Sequence, residues 1–215
     1  MRQGIRQGWQ GRLAVVVVAS LMAARAPFAW ADDAMPKASG PQELVIFDFE
    51  GTAQEWDIPD WARTSADYVG KSISLSDEQV SHGKTSLDLH GEFPGAGKWT
   101  GAYIEREMNV NDWSAFQSIA VDVYLPANAP GGLKARIILT IGDKWQWTEQ
   151  NRAIDLKPGA WTTLTANFAP GSVDWKFFPD ESFRKDIKKL GVRVESDKSP
   201  AYSGSIFIDH VRLIK

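Results

Sequence analysis

The chain has no cysteine. Disulfides and thiolate metal sites are therefore excluded, and the fold must rest on its core, helped at most by an oxygen-bound ion. Histidine is scarce: His82, His90 and His210 are the only three, and they show no metal-ligand spacing such as H-E-x-x-H. Long apolar runs are also missing. The ten-residue stretch Leu13 to Met22 (LAVVVVASLM) is too short to span a bilayer, which needs about 20 residues. It follows Arg2, Arg6 and Arg12 and precedes Ala29-Trp30-Ala31, an A-x-A cleavage site before Asp32. Residues 1–31 thus read as a secretory signal peptide. No twin-arginine pair or lipobox cysteine accompanies it, so a soluble periplasmic or secreted product is expected after cleavage near Ala31. An excess of basic charge is lacking too. Without the four arginines of residues 1–31, 20 basic residues face 27 acidic ones, a net charge of −7. Nucleic acid and anionic membrane surfaces are poor partners for such a chain.

What remains suits one domain of about 150–180 residues. Residues 32–43 read as a flexible leader. From 44 to 215 short apolar runs alternate with Gly, Pro, Asn and Asp. Strands are predicted over Leu44–Glu50, Ser72–Leu75, Thr85–His90, Ala102–Met108, Ser118–Leu125, Leu133–Ile141, Trp145–Gln150, Trp161–Phe168, Leu190–Glu195 and Ser205–Leu213. In SIAVDVYL, Ile119, Val121, Val123 and Leu125 share one face; in LGVRVE, Leu190, Val192 and Val194 oppose Gly191, Arg193 and Glu195. Such alternation marks sheets with one buried face, and about ten short strands predict an all-β fold, an antiparallel β-sandwich or jelly roll. Only Phe183–Lys189 has the spacing of a short helix.

Tryptophan is abundant, with ten in the chain and eight of them after residue 31. GDKWQWTEQ (142–150) sets Trp145 and Trp147 among Asp143, Lys144 and Glu149. Sugar rings present apolar C–H faces, on which an indole stacks, and hydroxyl edges, which charged and amide side chains bond. The segment has that composition. Trp145 and Trp147 share parity. In a strand running regularly from Ile141 they point into the core; a bend at Gly142-Asp143 turns them outward. Trp147 is the favoured stacking ring. By alternation Asp122, Tyr124, Arg136, Arg193 and Glu195 point away from the core and are candidates to share the ligand face. Trp56, Trp61 and Trp99 lie in loop-rich stretches suited to the rim of a cleft.

Catalytic signatures are weak. Glu55-Trp56-Asp57-Ile58-Pro59-Asp60 imitates the E-x-D-x-x-E strand of one β-glucanase class, whose carboxylates act as nucleophile and acid. Here the third acid is Asp, and Pro59 removes a ladder donor. Gly95-Ala96-Gly97-Lys98 lacks the first glycine and the final Ser or Thr of a phosphate loop. The chain is expected not to be an enzyme.

Taken in order, LVIFDFEGTAQEWD, SHGKTSLDLHGEF, DWSAFQSIAVDVYLP, KARIILTIGDKWQWTEQ, LKPGAWTTLTANF, IKKLGVRVES and GSIFIDHVRLI resemble carbohydrate-binding modules of the galactose-binding-like jelly-roll type, especially those attached to mannanases and β-glucanases. The resemblance covers about 44–215. It implies that the GDKWQWTEQ segment follows a strand of the concave sheet and contributes a stacking tryptophan. Together with the alternation above, the expected ligand set is Trp147, Trp145, Tyr124, Arg136, Glu149, Arg193 and Asp122. It also implies that Trp113 and Trp161 pack in the core or under loops. Modules of this type commonly carry a structural calcium, which here falls on Glu50, with Asp48 nearby, on the loop of Ser81 and Lys84, and on Asp209; calcium takes six to eight oxygens from such groups. The expected function is non-catalytic binding of a β-glucan or mannan. The alternative is an interaction domain of the same fold whose concave face takes a protein, since the chain carries no catalytic domain of its own. A polysaccharide-degrading enzyme on this fold is a third reading.

Overall fold

The computed structural model describes residues 42–95, 97–196 and 201–215; the signal segment and nearly all of the leader fall outside them. The described chain forms strands β1 (Glu43–Phe47), β2 (Gly70–Ser76), β3 (Ser86–Phe93), β4 (Thr100–Glu107), β5 (Ser118–Leu125), β6 (Lys134–Ile141), β7 (Gln146–Glu149), β8 (Ile154–Asp155), β9 (Ala160–Asn167), β10 (Ile187–Ser196) and β11 (Tyr202–Ile214). One short helix, α1 (Asp60–Thr64), follows β1, and a 3-10 turn spans Phe183–Lys185.

Two antiparallel sheets face each other. The first runs β2-β3-β11-β5-β9, with β1 also on β11; the second runs β4-β10-β6-β7, with β8 on β6. The expected alternation appears on both. Ile119, Val121, Val123 and Leu125 of β5 and Leu190, Val192 and Val194 of β10 are buried, as are Ala135, Ile137 and Leu139 of β6. Trp56 and Trp113 join this core. Burial of one face per sheet is the main stabilising contribution in a chain without disulfides.

Two irregularities matter for the site. Phe183–Lys189 is not a helix. Phe183, Ile187 and Leu190 are all buried, a spacing of four and three that imitates a helical stripe. It arises instead from a 3-10 turn followed by a bulge between Ile187 and Lys189 in the ladder with β6. In β11 the register with β5 slips between Asp209 and Arg212, where His210 takes a left-handed φ of 48°. The slip keeps Ile206, Ile208, Val211 and Leu213 all buried although the last two are out of phase with the first two.

Candidate functional site

The outward face of the second sheet carries the site, and a hairpin decides which rings reach it. β6 ends at Ile141, which pairs with Gln146. The four residues between them form a turn closed by the Trp145 N–H donating to the Gly142 carbonyl at 3.0 Å, with Gly142 and Trp145 both at positive φ. Trp147 then pairs with Thr140, on the side opposite the buried Ile141 and Leu139. The turn, not the parity counted from Ile141, fixes the outward orientation. Trp145 sits in the turn itself and is 52% exposed; Trp147 is 40% exposed.

Trp61, on α1, completes the surface at 43% exposed. Its helix is short but anchored: Arg63 donates from Nε to the Ile58 carbonyl at 2.9 Å and pairs with Asp57 at 2.6 Å. Trp61 stands at 78° to Trp147 with centroids 6.0 Å apart, and edge-on to Tyr68 at 4.9 Å. Beneath both tryptophans lies Tyr103, 5.3 Å from Trp61 and 5.2 Å from Trp147. Tyr103 lies flat across β10 because residue 191 is glycine: a Cβ there would stand 2.4 Å from the Tyr103 hydroxyl. Gly191→Ala is therefore expected to push Tyr103 out of place and cost about 1–3 kcal/mol by overpacking. Urea melts would measure the stability, and tryptophan fluorescence would report the disturbed rings above. An unchanged midpoint and spectrum would refute this account of the platform.

The cleft between these rings has a volume of about 520 Å³ and is lined by Trp61, Tyr68, Trp145 and Trp147 together with Glu105, Thr140 and Lys189. Glu105 accepts from the Tyr103 hydroxyl at 2.9 Å and from Lys189 Nζ at 2.7 Å. Lys189 also stands 5.8 Å over the Trp145 ring. Burial works against the Lys189 ammonium, but the bond to Glu105 prevails and holds its pKa above the usual lysine value. Burial pushes the Tyr103 phenol far up, with the Glu105 charge adding to it, so that Tyr103 is a fixed donor. Beside the cleft lies a second polar group. Glu195 accepts from Arg136 at 2.5 Å through one oxygen and from Arg193 at 2.8 Å through the other. Glu149 pairs with Arg193 and Lys176. Arg193 in turn lies 5.1 Å under the Trp99 ring. The result is a rigid aromatic surface bordered by fixed charges, suited to stacking a flat, hydroxylated ligand.

A family model described as mannanase, galactose-binding domain-like matches residues 47–210. The chain belongs to this family. No curated protein sequence matches it. Among solved structures, this mannanase-type galactose-binding-like domain is similar to the carbohydrate-binding module CBM27-1 of Caldicellulosiruptor saccharolyticus, solved with mannohexaose; the two share 20% identity over 80% of this chain and 96% of that one, with a TM-score of 0.56. It is also similar to the family 11 module of the cellulase Lic26A-Cel5E of Clostridium thermocellum, at 16% identity over 82% and 96% of the two chains and a TM-score of 0.52. A third likeness is to CBM28, a module specific for non-crystalline cellulose, at 15% identity over 76% and 90% and a TM-score of 0.53. At these identities the likeness shows the fold. All three are carbohydrate-binding modules by description.

The domain gathers Trp145, Trp147, Glu149, Arg136 and Arg193 of the sequence-predicted ligand set on one face. It does not bring Asp122 and Tyr124 there. Both lie on β5 in the first sheet, facing outward on the other side of the sandwich. Asp122 accepts from Thr163 at 2.6 Å, and Tyr124 packs on Trp161 at 5.4 Å. Alternation separates inside from outside but does not say to which sheet a strand belongs. Trp161 is correspondingly half-buried on that outer face rather than in the core, whereas Trp113 is fully buried as expected. Of the loop tryptophans, Trp56 is buried against Phe47 and Phe49, and Trp61 and Trp99 border the site. Sequence reasoning missed Tyr68, Tyr103, Glu105, Thr140, Lys176 and Lys189. The signal was there for Tyr103 and Glu105, which alternate with the buried Ala102 and Ile104. For Lys189 it was masked by the bulge.

The residues expected to hold calcium do converge, but in another manner. Asp209 Oδ2 accepts the N–H groups of Ser81 at 2.8 Å and His82 at 2.9 Å, and the Ser81 hydroxyl at 3.2 Å. Its Oδ1 accepts from the His210 N–H at 2.6 Å. Glu50 Oε1 accepts from the Lys84 and Thr85 N–H groups at 2.6 and 3.1 Å. Asp48 turns to its own loop, accepting from the Glu50 N–H and from Gln54 Nε2. Hence Ser81 and Lys84 offer hydrogens, not oxygens, to the two carboxylates. Gly83 is required here, because a Cβ would stand 2.1 Å from Glu50 Oε1. This is an amide clasp that ties the loop before β3 to the ends of β1 and β11. Here the carboxylates are taken up by N–H groups, and among the described residues no three His, Cys, Asp or Glu side chains are grouped to hold a metal ion. The carboxylates of the Glu55–Asp60 stretch are likewise engaged singly: Glu55 with Arg106 and Asp57 with Arg63.

Proposed function

We propose that the chain is an exported, non-catalytic module that binds a β-linked polysaccharide of the glucan or mannan class along the aromatic face of the second sheet. The observation that carries the reading is the cleft itself: three exposed tryptophans from α1, the β6–β7 turn and β7 surround Glu105, Lys189 and Thr140. The rings stack on sugar C–H faces, and the Glu105–Lys189 pair and the Thr140 hydroxyl bond the ring edges. The family description, which names mannanases, and the mannohexaose bound by the Caldicellulosiruptor module support that ligand class. Among the described residues the carboxylates of this face, Glu105, Glu149 and Glu195, are each held by cations, which supports binding without chemistry. Residues 1–31 support export to the periplasm or beyond.

Native gels containing glucomannan, galactomannan, mixed-linkage glucan, xylan or alginate test this. Retardation in a β-glucan or mannan gel is the expected result. A folded protein that runs unretarded in all five would overturn the proposal and favour a protein partner on the same face.

A further inference from the structure

The first sheet has an aromatic row of its own, on the opposite side of the sandwich from the cleft. Register aligns Phe207 of β11 with Tyr124 of β5, and Tyr124 with Trp161 of β9. Their side chains point away from the core, since the alternating neighbours Ile206, Ile208, Val123 and Leu125 are buried inside. Ring centroids are 6.2 Å apart for Phe207 and Tyr124 and 5.4 Å for Tyr124 and Trp161. Phe207 is buried, while Tyr124 and Trp161 remain half-open. Phe207 and Tyr124 line a groove of about 480 Å³, to which the loop after β2 contributes Gln79 and the turn after β5 contributes Asn128. Neither of these amide side chains bonds another protein group among the described residues. Farther along the row, Asp88 pairs in register with Phe207 and is held by the Ser205 hydroxyl at 2.8 Å.

Two half-open rings, Tyr124 in the groove and Trp161 next to it, backed by the buried Phe207 and edged by unused amides, form a surface for a ligand that has both an apolar face and hydroxyl edges. An apolar protein surface would leave the amides of Gln79 and Asn128 without partners; a sugar chain would not. We propose that this groove is a second glycan-binding site, so that one copy of the domain bridges two polysaccharide chains on opposite faces. The ligand class rests on the function proposed above; the site does not. Two sites in one rigid domain raise avidity for a polymer and cross-link it.

The test uses the full exported protein with soluble long-chain glucomannan, galactomannan and mixed-linkage glucan. Wild type is expected to be retarded in a native gel and to make the same polymer turbid. Trp147→Ala should keep a residual retardation that needs about thirtyfold more polymer. Adding Trp161→Ala should remove the residue of binding, and each single variant should abolish turbidity. Because Trp161→Ala removes a packed ring, the paired variant Gln79→Ala, Asn128→Ala is made as well; it alters only the groove's edge, and it too should lose turbidity. Circular dichroism checks the fold of each. The second site is overturned if wild type is retarded without turbidity and both groove variants match it. Retardation of nothing by any polymer would sink the glycan reading of both faces.

Discussion

Trp147→Ala should weaken polysaccharide binding by about thirtyfold while lowering the melting temperature only slightly. Trp147 is 40% exposed, which leaves on the order of 80 Å² of a ring of this size for a sugar to cover. At about 25 cal/mol per Å² that is about 2 kcal/mol, or about thirtyfold in Kd. On the protein side the ring gives up its contacts with Trp61 and Tyr103, but these are made at the surface. A loss of about 1 kcal/mol corresponds to about 2–4 °C for a domain of this size. The control is a tryptophan that points the other way. Trp113 is fully buried, so Trp113→Ala should cost about 3–5 kcal/mol with no direct effect on binding by the fraction that remains folded. Affinity gels or titration calorimetry against a mannan or glucan oligosaccharide, with thermal melts of both variants, separate the cases. A Trp147→Ala protein that binds as wild type, or that melts as low as Trp113→Ala, would remove Trp147 from the site.

The difference between these two tryptophans could be seen in sequence only in part. Strand positions and their inward faces were legible because the period-two pattern is a direct imprint of burial; Val192 and Arg193 fall where LGVRVE puts them. Sheet membership was not legible. β5 and β10 have the same pattern, yet one lies in each sheet, and so Tyr124 and Asp122 were grouped with Arg193 although they face the other way. Pairing across sequence separations as long as that between β4 and β10 is decided by tertiary packing, which leaves no local mark. Two residues with left-handed φ, Trp145 and His210, are also decisive and unsignalled, since neither is the glycine that such conformations favour. The first sets the register that turns Trp147 outward. The second produces the slip in β11 that keeps Val211 and Leu213 in the core.

A second large effect on stability is expected at Glu195. Arg136 and Arg193 are direct register partners on β6 and β10, so two guanidinium groups lie side by side on a nearly closed surface, their side chains 12% and 8% exposed. Glu195 holds them together, one oxygen to each. Glu195→Gln preserves the shape but removes the charge, leaving two adjacent, poorly solvated guanidinium groups with Glu149 as their one shared carboxylate. A buried ion pair broken from one side costs about 3–5 kcal/mol, which predicts a fall of roughly 10 °C in Tm for a domain of this length. Pairing that change with Arg193→Met removes the repulsion, and the double variant should recover much of the loss; additive losses in the cycle would show that the three groups are not coupled. Glu149 gives the same network a pH signature. Burial opposes its ionisation, but Lys176, Arg193 and Arg136 outweigh it and hold its pKa below 4.5. A depressed carboxylate contributes stability that is fully present above its unfolded value of 4.5 and is lost as pH falls through the lower folded value. Wild type should therefore lose stability on acidification below pH 4.5, and Glu149→Gln should start lower and fall less steeply. Since Arg193 supports the Trp99 ring and lies next to Tyr103 in the face that carries Trp61 and Trp147, loosening this network at either residue should also weaken polysaccharide retention, even at temperatures where the protein stays folded.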